Sequence, residues 1–507
     1  MPVFQEGSIN TTALLVPDLY VQIVPPSVSL MNGVPTNGLG LVGTAPWGPV
    51  DSPVVVANMS DYAKAFGPIK NRKHDLGTIT AASVIQGASN MRCVRVTDGT
   101  DAAATGVVTA PAESTAAAIV AAINNGMSSL RGISQFVVAS NIIGDVTLTA
   151  LYTGTLGNSI QVGIGPGSKA DTTKVTISLP GQVPEVFDNI GVAAAVAATV
   201  TLTGGTDGVA TITSTVLVGS DVIPRKGMYA LRNTAVSVAA LADADDPDEF
   251  SLQVAYGLSE GTYMVLTGPA GETIAGAIAA KNSAGVDSYI AKLMLGDWCN
   301  FNDTVNGVTR LISPQGFMAG RLSNLSPEQS SLNKQVYGIV STQSTAANKI
   351  YSNAELSQLA AAGIDVITNP APGGNYFAAR IGHNTSTDAV VNGDNYTRMT
   401  NYIAYTLNAG MGKFVGRLQT VSERREAKNT IESFLAAMET DGMIGAVNGG
   451  PGFQVILGAS NNPMSRVALG YQQCDVKVVY LSIVEKFIVN VEGGTSVSVT
   501  TVSTQPA

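Results

Sequence analysis

Any chemistry in this chain has to come from a short list of residues. Gly257-Leu258-Ser259-Glu260-Gly261 fits GxSxG, the form that presents a nucleophilic serine on a sharp turn between a strand and a helix. His383 lies further along, in the order that a Ser, acid, His triad requires. The context does not match. Residues 250–256 read as a strand, but so does Thr262-Tyr263-Met264-Val265-Leu266-Thr267, where the elbow needs a helix. The chain has only 2 histidines. His74 closes the basic run Lys70-Asn71-Arg72-Lys73 and reads as part of a solvated loop. His383 reads as a structural hydrogen-bonding residue, since no second His or Cys stands near it to complete a metal site. Cys93, Cys299 and Cys474 are far apart with no CxxC, the pattern of free buried thiols in a reducing compartment. The acidic run Asp243-Ala244-Asp245-Asp246-Pro247-Asp248 lacks the spacing of a calcium loop and reads as an exposed helix end. There is no HExxH, no GxxxxGK[ST] and no GxGxxG at a strand-to-helix junction. The glycine-rich turn at 203–208 lacks the lysine of a phosphate loop. The residues therefore predict no catalytic, cofactor or metal site, and a serine hydrolase using Ser259 is the enzymatic alternative.

The elements that would carry such residues read as α/β. Gly38-Leu39-Gly40-Leu41-Val42-Gly43-Thr44-Ala45 is a buried strand, followed by the turn Pro46-Trp47-Gly48-Pro49 and the β-branched run Val54-Val55-Val56. A short helix over 60–67, with Ser60 as cap and Gly67 as terminator, leads to a helix over 75–88 and the strand Arg92-Cys93-Val94-Arg95-Val96. From 98 to 223 the chain becomes rich in Thr, Val, Ala and Gly. Strands are expected at 145–151, 160–164, 174–179 and 211–218, and Ala-rich helices at 112–124 and 191–198. The α/β pattern resumes at 224, with strands at 248–256, 263–268 and 364–368 and helices at 271–283, 326–338 and 353–362. Helices over 394–409 and 422–440 follow, then a strand-rich end over 475–491. The divisions predicted are an arm (1–30), a core (31–97 and 224–390), an inserted β-rich domain (98–223), a C-terminal domain (391–492) and a second arm (493–507).

Composition points to assembly. Among the 507 residues only 13% are charged, about half the usual share of roughly 25%. The mean hydropathy is +0.22, yet no run approaches the roughly 18 apolar residues of a membrane span. The apolar excess is assigned to subunit contacts. A net charge of −9 argues against nucleic acid as a partner. The first residues, Met1-Pro2-Val3-Phe4-Gln5-Glu6, lack the pattern of a signal peptide. Both ends alternate like half-buried strands: Leu19, Val21 and Ile23 before Pro25-Pro26, and Val497 and Val499 after Gly493-Gly494. Such strands read as unable to pair within their own arm and as candidates for addition to a neighbouring copy's sheet. In the helix over 422–440, Thr420 and Glu423 have capping-box spacing, and Ala427, Ile431, Phe434, Leu435 and Met438 form one apolar stripe. Arg425 and Lys428 fall beside the stripe, while Arg424 projects onto it and is expected to bend out to solvent. Three cations in the first turns oppose the helix dipole. That leaves two readings: an acidic partner, or a solvated face with local ion pairs.

Several segments are similar to the contractile tail sheath proteins of bacteriophages. Pro17-Asp18-Leu19-Tyr20-Val21-Gln22-Ile23 resembles their PGVYVEE-type opening, with Gln22-Ile23 in place of the acidic pair. The run from Val42 to Pro53 resembles FVGTAxxGPxxxP, and Ser60 to Gly67 resembles SxxDFxxxFG. Gly154 to Ile160 resembles GxxGNxI, and Asn401-Tyr402-Ile403 and the stretch from Arg424 to Gly442 resemble the late helices. The resemblance runs in pieces from 17 to 491. It implies a core of subtilisin-like topology without an active site, an insertion facing outward, and hexameric rings stacked helically around a tail tube. Both arms would join a neighbour's C-terminal sheet through Leu19, Val21, Ile23, Val497 and Val499, and Arg424, Arg425 and Lys428 would face the tube. The partners implied are other copies of the chain, the tail tube protein, and baseplate and tail terminator proteins, in a virion tail assembled in the host cytoplasm. A sheath from a bacterial contractile injection system, such as a phage-tail-like bacteriocin, is the nearest alternative.

Overall fold

The computed structural model describes residues 3–6, 20–23, 31, 33–126, 136–142, 145–489 and 491. Its centre is a 7-stranded sheet. In spatial order the strands are Ile364–Asp365, Ala291–Met294, Tyr263–Thr267, Val238–Leu241, Gly38–Gly43, Asn90–Arg95 and Val54–Val56. All neighbours are parallel except Val54–Val56, which closes one edge antiparallel to Asn90–Arg95. The strands are apolar along nearly their whole length because helices cover both faces. Tyr263 and Val265 point into one layer with Leu76, Ile79, Phe317 and Leu322. Met264 and Leu266 point into the other with Phe250, Tyr256 and Leu359. The helices Met59–Phe66, Leu76–Ile85 and Gln315–Asn324 form the first layer. Phe250–Glu260, Ile274–Ser283 and Asn353–Ala361 form the second. The mixed α/β expectation holds at this level.

A second core lies between residues 103 and 202. The antiparallel strands Ala103–Thr109, Asp145–Thr153 and Val137–Ile142 form one sheet. Glu185–Ile190, Thr173–Ser178, Gln161–Pro166 and Ala198–Thr201 form another. The helix Glu113–Asn125 packs with them around Ile119, Leu148, Val162 and Ile177. Trp47 of the first core is buried in this cluster, with its ring edge-on to Tyr152 at 5.3 Å. Arg95 is fully buried at the junction. It donates to the carbonyls of Gly48 (2.8 Å) and Thr153 (2.7 Å), while Arg72 pairs with Asp207 at 2.6 Å. Gly154 has φ +129, and a Cβ there would lie 2.1 Å from the carbonyl oxygen of Pro46, so only glycine lets the two bodies meet.

Several expected elements differ. Residues 248–256 form the helix Phe250–Glu260, which starts after Asp246-Pro247. Residues 211–218 form a short helix, Ser214–Val218, in place of a strand. The Ala-rich stretch 191–197 is irregular and leads into the strand Ala198–Thr201, and residues 326–338 are irregular as well. The cap of the Met59–Phe66 helix is Asn58, whose side chain accepts from Asp61 N, with Ser60 inside the helix. Over 475–491 only Asp475–Val478 is a strand.

Candidate assembly surface

The residues singled out for chemistry are dispersed. Ser259 sits in the last turn of the Phe250–Glu260 helix. Its Oγ donates to Tyr256 O at 3.0 Å and accepts from Arg232 at 3.4 Å, and neither histidine is among its partners. No elbow exists there, because the residue sits within a helix. His74 is buried, contrary to the solvated-loop expectation. It takes φ +61, its Nδ1 is 2.8 Å from Ala242 O, and its carbonyl accepts from Thr44 N at 2.7 Å. Burial lowers its pKa. His383 does make a structural contact, with Nε2 2.8 Å from Glu485 Oε1. Asp243 accepts from Ser313 N, and Asp245 pairs with Lys73 at 2.9 Å. Among the described residues no group of three or more His, Cys, Asp or Glu stands ready for a metal ion. Cys93 and Cys299 are buried and Cys474 is half-buried, all as free thiols. Among the described residues no helix is long and apolar enough to cross a membrane.

A buried ionic cluster escaped the sequence reading. Lys292, on a central strand, is fully buried, with Nζ 2.6 Å from Asp365 and 3.2 Å from Asp394. Asp394 also accepts from the hydroxyls of Tyr263 and Ser331, and Asp365 accepts from Ile381 N and Gly382 N at 2.9 Å each. Burial opposes both charged forms, but their mutual attraction wins: the Lys292 pKa is raised and the Asp394 pKa lowered. Asp394 opens the helix Asp394–Met411, so the cluster ties the core sheet to everything after it.

The C-terminal region is built on that helix. Asp394–Met411 and Val421–Thr440 pack through Met399, Ile403, Ile431, Phe434, Leu435 and Met438 against a hairpin, Phe453–Ile456 with Asp475–Val478. The stripe expected on the second helix is buried, and Thr420 Oγ1 caps it by accepting from Glu423 N at 3.1 Å. Of its three cations, Lys428 pairs with Glu432 at 3.4 Å. Arg424 is half-buried and donates to Gln419 at 3.2 Å. Arg425 is exposed and pairs with no described residue. The hairpin is a sheet of 2 strands. Among the described residues no other strand pairs with either outer edge. Beyond it the chain runs across the surface with Val484 at 74%, Phe487 at 85% and Ile488 at 82% exposure. Isolated apolar residues on a surface are ordinary, but these follow one another closely in sequence, and Val484 and Phe487 line a groove with Glu328, Asn333 and Arg380.

Of the residues expected in strand exchange, Val21 and Ile23 lie in the strand Tyr20–Ile23, which pairs in parallel with Val3–Glu6. The two front strands thus pair with each other, which corrects the expectation that they cannot pair within their own arm. Parallel pairing needs a connection of roughly a dozen residues, and residues 7–19 supply that length. Leu19, Val497 and Val499 lie outside the described residues.

Solved structures share this fold over most of the chain. A sheath tail protein from Listeria innocua superposes with a TM-score of 0.57 at 14% identity, covering 89% of this chain and 96% of its own. The fold is that of the sheath tail proteins. A second such protein, from Desulfitobacterium hafniense, gives 0.56 at 14% identity over 86% of this chain and 93% of that one. The helical sheath of the anti-feeding prophage in its contracted state gives 0.57 at 10% identity, over 94% and 99%. No family model matches the sequence, and no curated protein does.

Proposed function

We propose that the chain is the structural subunit of a contractile tail sheath. Copies polymerise as stacked hexameric rings around a tail tube, and the sheath contracts to drive the tube through the host envelope. The observation that carries this reading is the two-stranded C-terminal sheet, whose outer edges pair with no other described strand, followed in the chain by exposed apolar side chains, on a fold that a solved sheath protein matches over 94% of this chain. The arms, 1–30 and 493–507, add strands to those edges on adjacent copies, with Leu19, Val21, Ile23, Val497 and Val499 as their inward-facing residues. The Val421–Thr440 helix faces the tube. Arg425 is its principal contact there, with Arg424 and Lys428 beside it, and the 98–223 domain faces outward. The core keeps a subtilisin-like topology with no catalytic role. Contraction draws on the difference in buried surface between two packings of the same bodies, so no nucleotide is consumed. Baseplate and terminator proteins bound the stack, which is assembled in the host cytoplasm and carried in the virion tail. The match to the anti-feeding prophage sheath supports a second reading, a sheath of a bacterial contractile injection system, equally well.

Deleting residues 493–507 tests the central claim. The truncated chain is expected to keep the thermal unfolding of the full chain and to form no cylinders in negative-stain microscopy. Ordinary cylinders from the truncated chain would refute arm exchange.

A further inference from the structure

A cavity of about 140 Å³ opens at the edge of the core, between the start of the Asn353–Ala361 helix and the turn after the Ile367–Thr368 strand. That is room for several waters, or for one carboxylate or phosphate group. Thr368 is only 8% exposed, and its Oγ1 has no hydrogen-bond partner. The adjacent Asn369 Oδ1 is buried and likewise unpartnered. A buried polar atom left unmatched costs about 1–3 kcal/mol, so two of them on neighbouring residues of one cavity's lining need a partner, either water or a bound group.

The charges around the cavity give that ligand its sign. Arg380 lines it, and its guanidinium makes no hydrogen bond or ion pair with any described residue; only its backbone N–H is engaged, by Val366 O. Glu328 and Glu485 line a groove that also borders Arg380, yet neither pairs with it. Lys349 adds a second positive charge. It lies 5.4 Å from the centre of the Tyr351 ring and is loosely held by Glu355 at 3.5 Å. Asn353, the first residue of its helix, is part of the lining, which places the positive end of that helix at the cavity.

We propose that this cavity binds an oxyanion of carboxylate or phosphate type. Arg380 supplies a planar two-pronged donor and the Thr368 hydroxyl a second donor. The Asn369 amide turns its nitrogen inward as a third donor, and Lys349 adds charge. The same chemistry has two sources: a free small anion, or a carboxylate on a second copy of this chain, whose surplus of 37 acidic over 28 basic residues makes such groups plentiful. The inference does not depend on the sheath reading.

Inorganic phosphate is the probe. It is titrated into the full chain at constant ionic strength, with calorimetry and thermal unfolding as readouts, for the wild type, Arg380→Gln and Thr368→Val. Saturable binding that Arg380→Gln abolishes and Thr368→Val weakens at least threefold establishes the site for a free anion. Absence of phosphate binding, with self-association weakened at least fivefold by both substitutions, assigns the site to a neighbour's carboxylate. Thr368→Val preserves shape and covers the case in which Arg380→Gln folds poorly. Phosphate binding indifferent to both substitutions overturns the proposal. So does the combination of no phosphate binding and unchanged self-association.

Discussion

Replacing Lys292 with methionine should cost this protein more than any other single conservative-volume change in its core. Lys292, Asp365 and Asp394 are each fully buried, and together they carry one net negative charge that surrounding backbone and hydroxyl donors offset. Lys292→Met keeps most of the volume but leaves two buried carboxylates without the cation they share. Removing one partner of a buried ion pair costs about 3–5 kcal/mol, a large part of the roughly 5–15 kcal/mol that stabilises a typical domain. Asp394→Asn should cost less. Lys292 then still has Asp365 at 2.6 Å and His383 O at 3.0 Å, and the single amide oxygen keeps one of the two hydroxyl donors, Tyr263 on Oδ1 or Ser331 on Oδ2. The double substitution should cost less than the two single losses combined, because the second change removes one of the stranded charges. Urea unfolding of the full chain below its assembly concentration measures all three.

The pH profile supplies an independent sign. Asp394 is held below its ordinary 3.8: burial pushes it up, but Lys292 and the hydroxyl donors outweigh that. Its stabilisation is therefore present above pH 3.8 and is lost as pH falls through the folded value. Lys292 is held above its ordinary 10.5, so its share is present below 10.5 and is lost as pH rises through the folded value. In Lys292→Met the acid limb should invert, since an unpaired buried carboxyl gains by taking up a proton. A loss below about 1 kcal/mol for Lys292→Met, far under the cost of breaking a buried pair, or an acid limb of unchanged sign, would refute the account.

Asp75 shows the opposite linkage. Burial pushes it from 3.8 to about 6, although Thr78, Arg72 and Arg310 favour its charge. Its contribution is present below pH 3.8 and is lost as pH rises through about 6, a change of roughly 3 kcal/mol at about 1.36 kcal/mol per pH unit. Asp75→Asn, which keeps a capping side chain for the Leu76–Ile85 helix, should flatten the stability profile between pH 4 and 6 as measured by urea midpoints. Reversing Arg425 and Lys428 to glutamate should leave folding within about 0.5 kcal/mol and weaken tube-templated assembly in sedimentation; unchanged assembly would move the tube-facing surface elsewhere.

What the sequence made legible follows from where each signal is local. The strand Gly38–Gly43 and the stripe on Val421–Thr440 are periodic over their own length, and both are buried as expected. The Gln315–Asn324 helix was missed because its signals depend on distant contacts. Gly316 and Gly320 look like breakers, but they are four residues apart on one face and let the backbone approach the Leu76–Ile85 helix. A Cβ at Gly320 would lie 2.5 Å from Ser83 Cα. The Phe250–Glu260 helix reads locally as a strand because its Phe, Val and Tyr suit one, and its Asp246-Pro247 start is hidden within an acidic run. His74 looked solvated because its neighbours are charged, while its own ring turns inward to Ala242 O. Lys292 gave no local signal at all, since its partners stand 73 and 102 residues away.

The distribution of exposed apolar surface decides what kind of force holds copies together. Val484, Phe487, Ile488, Val489 and Val491 are each at least 65% exposed, on one short stretch at the root of the second arm. Full burial of one such side chain is worth about 1.5–3 kcal/mol. Even at half that yield, five of them contribute several kcal/mol per contact, before any strand hydrogen bonds form along the hairpin edges. Exposed charge pairs contribute about 0–1 kcal/mol each, and with charged residues at 13% the chain has few to offer. In the proposed sheath, copy-to-copy links at the arms would therefore be the strong, persistent ones, and charge contacts such as those of Arg425 the weak ones. A sleeve that must keep its links while releasing what it surrounds requires that ordering. It predicts that salt loosens the grip on a tube at ionic strengths that leave copy-to-copy association intact.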